Sequence, residues 1–148
     1  NRYKFTIYSR VVIKHLIDLG IKPSVQRIAI MEYLLNNKTH PMVEEIYEAL
    51  VPQLRTLSKT TVYNTLKLLV ENGAVLAIGI EEAGMRYDGD TSDHMHFKCK
   101  SCGQIIDIRQ PDIPESRKMF VEELKGCQID QTHIYFKGIC KKCHDQKN

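Results

Sequence analysis

The stretch SKTTVYNTLKLLVENGAV, residues 58–75, decides the fold. Ser58 is a natural N-cap, and Gly73 is a natural stop one turn after the last apolar position. Between them Val62, Leu66, Leu69 and Val70 recur at helical spacing and form one apolar face. Lys59, Thr60, Tyr63, Asn64 and Lys67 lie off that face, and Lys59, Tyr63, Asn64 and Lys67 share the opposite one. Downstream, AVLAIGI (74–80) and MRYDGD (85–90) read as two strands joined by the acidic glycine turn EEAG (81–84). Upstream, Val12, Ile13, Leu16, Ile17 and Leu19 suit a helix over 10–19 that stops at Gly20. Ser24 caps a second helix carrying Val25, Ile28, Ala29, Met31 and Leu35. Thr39 or His40 precedes Pro41, which is expected in the first turn of a third helix with Val43, Ile46, Tyr47 and Leu50 inward.

Helix, short turn, helix and hairpin in that order make a helix-turn-helix with a wing, whose second helix enters the major groove of DNA. Tyr63 offers a ring to thymine methyls and a hydroxyl to phosphate. Asn64 matches an adenine edge, and Lys59 and Lys67 suit phosphates. A plain amphipathic surface helix presents the same face, and pattern alone leaves both readings open.

The remaining bulk properties frame this reading. The chain has 148 residues, 43% of them hydrophobic and 26% charged, with a net charge of +3. That is ordinary globular composition for one domain or two small ones. Residues 1–80 hold 10 Lys+Arg against 6 Asp+Glu, whereas residues 81–148 hold 11 against 12. The basic half is the one that carries the helix-turn-helix. No apolar run approaches the roughly 18 residues of a membrane span, and no signal-peptide pattern opens the chain. A cytoplasmic protein without a membrane partner is expected. The first residue is Asn1 rather than Met, so a longer precursor is compatible with the sequence.

The second half reads differently. HMHFKC (94–99) alternates, QIIDIRQ (104–110) is β-rich, IPESRKMFVEELKG (113–126) is helical, and CQIDQTHIYFKGIC (127–140) is again strand-like. The expected class is therefore α+β: a winged-helix domain over 1–89 and a small α/β domain over 90–148.

Four of the five cysteines form two C-x-x-C pairs, Cys99 with Cys102 and Cys140 with Cys143, with 37 residues between Cys102 and Cys140. Four thiolates around a tetrahedral ion are the closed structural zinc arrangement. The wide gap lets two knuckles clip the last strand of the domain to its first. A redox disulfide is the competing reading, and it would need both pairs to behave that way independently. His94 and His96 are two apart on a strand and point to one face. Four cysteines already fill a tetrahedron, so these imidazoles need a different centre. Asp88, Asp90, Asp93 and Asp107 are nearby hard ligands, and mixed imidazole and carboxylate suits Fe, Mn or Zn.

The chain resembles the ferric uptake regulator (Fur) family along nearly its whole length. The resemblance rests on GIKPSVQRIAIMEYL (20–34), HPMVEEIYEAL (40–50), LSKTTVYNTLKLLVENGAV (57–75), HMHFKCKSCGQIID (94–107) and GICKKC (138–143). Within the family it is most like the peroxide-responsive repressors. The resemblance implies a homodimer that binds an operator in double-stranded DNA, with Cys99, Cys102, Cys140 and Cys143 on structural zinc. It implies a regulatory Fe(II) or Mn(II) site of His40, Asp88, His94, His96 and Asp107. In the peroxide repressors, peroxide reacting at Fe(II) adds oxygen to the histidines that match His40 and His94; ligation weakens, the ion leaves and DNA is released. Mn(II) holds the same shape without that chemistry.

There are departures from the pattern. The family's TPQR is SVQR here, with Pro23 one position early. A further family metal site uses a Glu near Pro114 and a His at Thr132. Both are missing and His133 lies one residue off, so no third site is expected. Cys127 matches no zinc ligand. It reads first as a buried small apolar residue, with a redox or haem-ligating thiol as the alternative. Iron-, manganese- or haem-responsive regulation is the nearest competing function. A zinc hydrolase built on His94 and His96 would need a general base and a substrate cleft that the sequence does not offer, so no enzyme activity is expected.

Overall fold

The computed structural model describes residues 3–109 and 123–146. The chain divides into two compact units, residues 1–91 and residues 92–148.

The first unit packs four helices and a hairpin: α1 (Ile7–Asp18), α2 (Val25–Asn36), α3 (Val43–Leu50), α4 (Lys59–Glu71), β1 (Leu76–Ile78) and β2 (Arg86–Asp88). Caps set the helix starts. Ser24 accepts from the Arg27 amide at 3.2 Å and Ser58 from the Thr61 amide at 3.0 Å. Helix α1 begins three residues earlier than its apolar spacing predicts. The cause is a reciprocal cap: Thr6 N–H donates to Ser9 Oγ at 2.9 Å, and Ser9 N–H donates to Thr6 Oγ1 at 3.3 Å. Helix α4 ends where Gly73 takes φ 75°, which lets the Ala74 amide reach back to the Leu69 carbonyl at 2.8 Å.

Leu16, Ile30, Met31, Leu34, Ile46, Val62, Leu66 and Leu69 are fully buried in one apolar core. Truncating any of the leucines to alanine would cost about 2–5 kcal/mol. On α4 the inward face is Val62, Thr65, Leu66 and Leu69, while Val70 is half-buried. Strands β1 and β2 pair antiparallel, with Leu76 opposite Asp88 and Ile78 opposite Arg86.

The third helix departs from expectation. Pro41 is not in its first turn: Met42 is the N-cap, and Glu45 Oε2 accepts from the Met42 amide at 2.7 Å. His40 sits in a bend three residues before α3, with φ 53°. A proline disfavours right-handed α geometry for the residue before it, and His40 takes the left-handed region instead.

The second unit contains a three-stranded sheet ordered β4-β3-β5, built from β3 (Met95–Cys99), β4 (Ile105–Ile108) and β5 (Tyr135–Gly138). Strand β3 is central, antiparallel to β4 and parallel to β5. A short helix, α5 (Lys141–Asp145), follows. The strand expected over 127–140 is confined to Tyr135–Gly138, and residues 127–134 form no strand. The helix expected over 113–126 lies outside the described residues except for 123–126, which form turns. Among the described residues, the buried cluster of this unit is Cys99, Cys140 and Cys143 with Phe97 packed against it.

Candidate metal centres

The first knuckle is a tight turn at the end of β3. The Gly103 amide donates to the Cys99 carbonyl at 2.9 Å and the Cys99 amide to the Gln104 carbonyl at 3.0 Å. Closing that turn puts Gly103 at φ 75°, a conformation that a side chain disfavours. The second knuckle is the start of α5, where Cys140 is the N-cap and Cys143 lies one turn on.

Parallel pairing of β5 with β3 brings the two knuckles together. Cys99, Cys102, Cys140 and Cys143 each offer a sulfur within 4.8 Å of the others. Cys102 Sγ and Cys140 Sγ are 3.9 Å apart. Four sulfurs at the ~2.3 Å Zn–S distance stand about 3.8 Å from one another in a tetrahedron, so the spacing and the soft donor set fit zinc. The thiols are not equivalent. The Cys140 amide donates to Cys99 Sγ at 3.3 Å, and this bond, with further backbone donors at Cys102 and Ser101, lowers the Cys99 pKa to about 6. Sharing with the Cys140 thiol instead raises Cys143 to about 11. Backbone donors thus favour the thiolate at Cys99, whereas sharing between thiols favours the protonated form at Cys143.

The imidazoles and carboxylates form a set in each unit. In residues 1–91, His40 Nε2 lies 3.3 Å from Asp88 Oδ2, with both side chains buried. Strand β2 fixes both members. The Tyr87 amide donates to the Pro41 carbonyl at 3.0 Å, and Arg86 Nη1 donates to the His40 carbonyl at 3.0 Å. Arg86 is itself held by Glu81, and its Nη1 lies 3.5 Å from Glu45 Oε2. The Asp90 amide donates to Asp88 Oδ1 at 2.9 Å, which orients that carboxylate. Non-glycine residues with positive φ are sparse and concentrate at functional sites, and His40 is one of them.

In residues 92–148, register places His96 opposite Asp107. Asp107 Oδ1 lies 3.4 Å from His96 Nε2 and 3.7 Å from His94 Nε2. His94 Nδ1–H donates to the Ser92 carbonyl at 2.7 Å, which fixes the tautomer and leaves the Nε2 lone pair for a ligand. Arg109 reaches Ser92 Oγ at 3.1 Å and Asp107 Oδ2 at 3.8 Å. Asp90 and Asp93, the other acids near His94 in sequence, belong to neither donor set.

Lys59, Thr60, Tyr63, Asn64 and Lys67 are all exposed along α4. Lys59 Nζ sits 5.7 Å from the centre of the Tyr47 ring, and Lys67 pairs loosely with Glu71 at 4.0 Å. Lys22, Ser24 and Arg27 line a groove together with Asn64 and Lys67. The sequence reading singled out Ser24 only as a helix cap and passed over Lys22 and Arg27, although a basic pair around a cap was a usable signal. It also missed Arg86, although strand alternation puts Arg86 and Asp88 on one face. Cys127 is exposed, not the buried apolar residue expected first, and it stands apart from the four-thiol cluster.

A winged helix followed by an α/β unit with soft and hard metal-donor sets defines a metal-responsive DNA-binding regulator. Residues 18–137 match the sequence model of the ferric uptake regulator family. The peroxide operon regulator of Bacillus subtilis is 34% identical over 131 residues, 88% of this chain and 90% of its own. A peroxide-responsive repressor of Staphylococcus aureus is 32% identical over 90% of each chain. The ferric uptake regulator of Helicobacter pylori shares the fold, with a TM-score of 0.74 at 22% identity over 97% of each chain. The chain belongs to the ferric uptake regulator family. Among the described residues, no helix is long and apolar enough to cross a membrane.

Proposed function

We propose that this chain is a metal-dependent repressor that senses peroxide, and that His40, Asp88, His94, His96 and Asp107 close on one Fe(II) or Mn(II) ion. The observation that carries the reading is that each unit pairs imidazole with carboxylate, His40 with Asp88 and His94 and His96 with Asp107, in residues other than the four cysteines. His40 with Asp88 is too few ligands for such an ion, and so is His94 with His96 and Asp107. Together they leave one position open on a six-coordinate ion. Fe(II) supplies, when bound, the one-electron chemistry that activates peroxide. The protein's own part is to present the His94 Nε2 lone pair and an oriented Asp88 carboxylate, through the Ser92 carbonyl and the Asp90 amide. Relatives whose names describe peroxide regulation support the choice of signal.

In this reading residues 1–89 bind operator DNA through Lys59, Thr60, Tyr63, Asn64 and Lys67, and residues 90–148 form the dimer. The protein works in the cytoplasm as a regulator rather than an enzyme. Cys99, Cys102, Cys140 and Cys143 hold zinc permanently. Ion binding selects the arrangement in which two recognition helices match the half-site spacing. A coupling of about 1–3 kcal/mol corresponds to a 5–150-fold change in DNA affinity.

The test replaces His94 and His96 with Ala in protein that retains its zinc. Metal-dependent DNA affinity should disappear. Unchanged affinity with and without Mn(II), as in the parent, would refute the switch. Peroxide should release DNA from the Fe(II) form and not from the Mn(II) form; equal behaviour would leave iron or manganese regulation as the better reading.

A further inference from the structure

A row of three side chains crosses the sheet of the second unit. Register sets Asp107 of β4 opposite His96 of β3, and His96 opposite Tyr135 of β5. His94 and His133 lie just before β3 and β5, and their rings stand beside His96 and Tyr135. The rings follow that order: His94 to His96 4.5 Å, His96 to Tyr135 6.2 Å, and Tyr135 to His133 5.8 Å between centroids. Tyr135 is half-buried. A phenol ring, the side chain of the row most readily attacked by an electrophilic oxidant, therefore lies next to a proposed metal ligand. Neither the zinc site nor the ligand set uses it.

We propose that Tyr135 is a second oxidation site of this sensor, hydroxylated at the ring carbon next to its phenol by oxidant made from hydrogen peroxide at the exchangeable Fe(II). The proposal rests on the peroxide reading above. The net step balances with peroxide as the only co-reactant. The O–O bond breaks, one oxygen forms a C–O bond to the ring, and the displaced ring hydrogen leaves in water with the other oxygen. The ring loses two electrons, peroxide gains two, and iron ends in the state in which it began. The product is a catechol in place of the phenol. Oxygen added to Tyr135 leaves every proposed ligand intact, whereas oxygen added to His94 or His40 dismantles the site. Tyr135 thus diverts part of the oxidant from the ligands and raises the peroxide dose needed for DNA release.

The experiment uses the intact zinc-containing protein loaded with Fe(II), with Mn(II), or with zinc alone, treated with hydrogen peroxide and digested. Tryptic peptide 126–137 contains Tyr135, and fragment ions separate it from Cys127 and His133. One added oxygen should localise to Tyr135 in the Fe(II) form alone. In Tyr135→Leu that product is lost, oxidation at His94 and His40 rises at equal dose, and DNA release shifts to lower peroxide. Tyr135→Phe keeps the ring packing if the leucine variant fails to fold, and it should lose the catechol product. Oxygen on His94 or His40 with none on Tyr135 overturns this proposal and leaves peroxide sensing standing. Equal oxidation of Tyr135 with Mn(II) or zinc alone also overturns it. No oxidation anywhere in the Fe(II) form overturns peroxide sensing and this proposal together.

Discussion

Gly89 offers a sharp test of how the fold holds Asp88. An added Cβ at Gly89 would lie 3.0 Å from the Leu34 carbonyl carbon, 3.1 Å from its oxygen and 3.3 Å from its Cβ. The two nearest atoms are backbone of α2, so no change of rotamer relieves the contact. Ordinary contact begins near 3.4 Å, so Gly89→Ala must move the end of β2 or the last turns of α2 by about 0.4 Å or more. Overpacking of that kind costs about 1–3 kcal/mol, which lowers the melting temperature by roughly 4–8 °C per kcal/mol in a unit of this size. The displaced residue is next to Asp88, whose carboxylate is set by the Asp90 amide and faces His40. Loss of such support typically costs 10–100-fold in metal affinity, and we expect roughly tenfold weaker Mn(II) binding. The zinc knuckles lie in the other unit, so zinc content should not change. Calorimetry, Mn(II) titration and metal analysis on the same sample measure the three effects. A melting temperature and Mn(II) affinity both equal to the parent's would refute the reasoning.

Three further predictions follow from other parts of the molecule. Cys140→Ser should abolish zinc retention and unfold the second unit, because structural zinc is worth about 10–16 kcal/mol in small domains. Metal analysis with hydrogen exchange over residues 95–108 checks it, and a zinc-free variant with native protection would contradict it. Lys67→Ala should weaken DNA binding evenly across operator sequences and reduce the salt slope by about 1; an unchanged slope would remove Lys67 from the interface. Glu32, whose Oε1 accepts from Ser9 Oγ at 2.5 Å, has its pKa raised by burial. A carboxyl with a raised folded pKa contributes stability below its unfolded value, and that contribution is lost as pH rises through the folded one. Glu32→Gln should therefore stabilise the protein at about pH 7 and give little gain at about pH 4. Equal differences in denaturant midpoint at both pH values would rule this out.

What the sequence made legible tracks the range of the interaction involved. Helix α4, its Ser58 cap and its Gly73 stop depend on residues within one turn of each other, and pattern reading recovers them. His94 and His96 both turn to Asp107, but His94 lies outside β3, and its ring is set by the Ser92 carbonyl rather than by strand period. The start of α1 was missed because Ser9 rather than a glutamate closes the reciprocal cap and because residues 1–9 carry no period. The bend at His40 was misplaced for a different reason. Pro41 is a good first-turn residue by propensity, but Tyr87 and Arg86 of β2 hold the 40–41 segment away from helical geometry. Non-local hydrogen bonds override a local preference there, at the only non-glycine residue of positive φ among those described.

That override bears on function. His40 in the first turn of α3 would be fixed by the helix and tolerant of changes elsewhere. Held in a bend by β2, its position depends on Arg86, Glu81 and Glu45, none of which is a metal donor. The wing hairpin that follows the recognition helix is therefore also the scaffold of two proposed ligands, Asp88 on β2 and His40 bound to it. An ion held at these residues would restrain the same strand that ends the wing, and a shift of the wing would reach the proposed ligands through Arg86. Coupling between ion and DNA then needs no relay through the helical core: substitutions at Arg86 should change metal affinity and DNA affinity together, whereas core truncations such as Leu66→Ala should lower stability first.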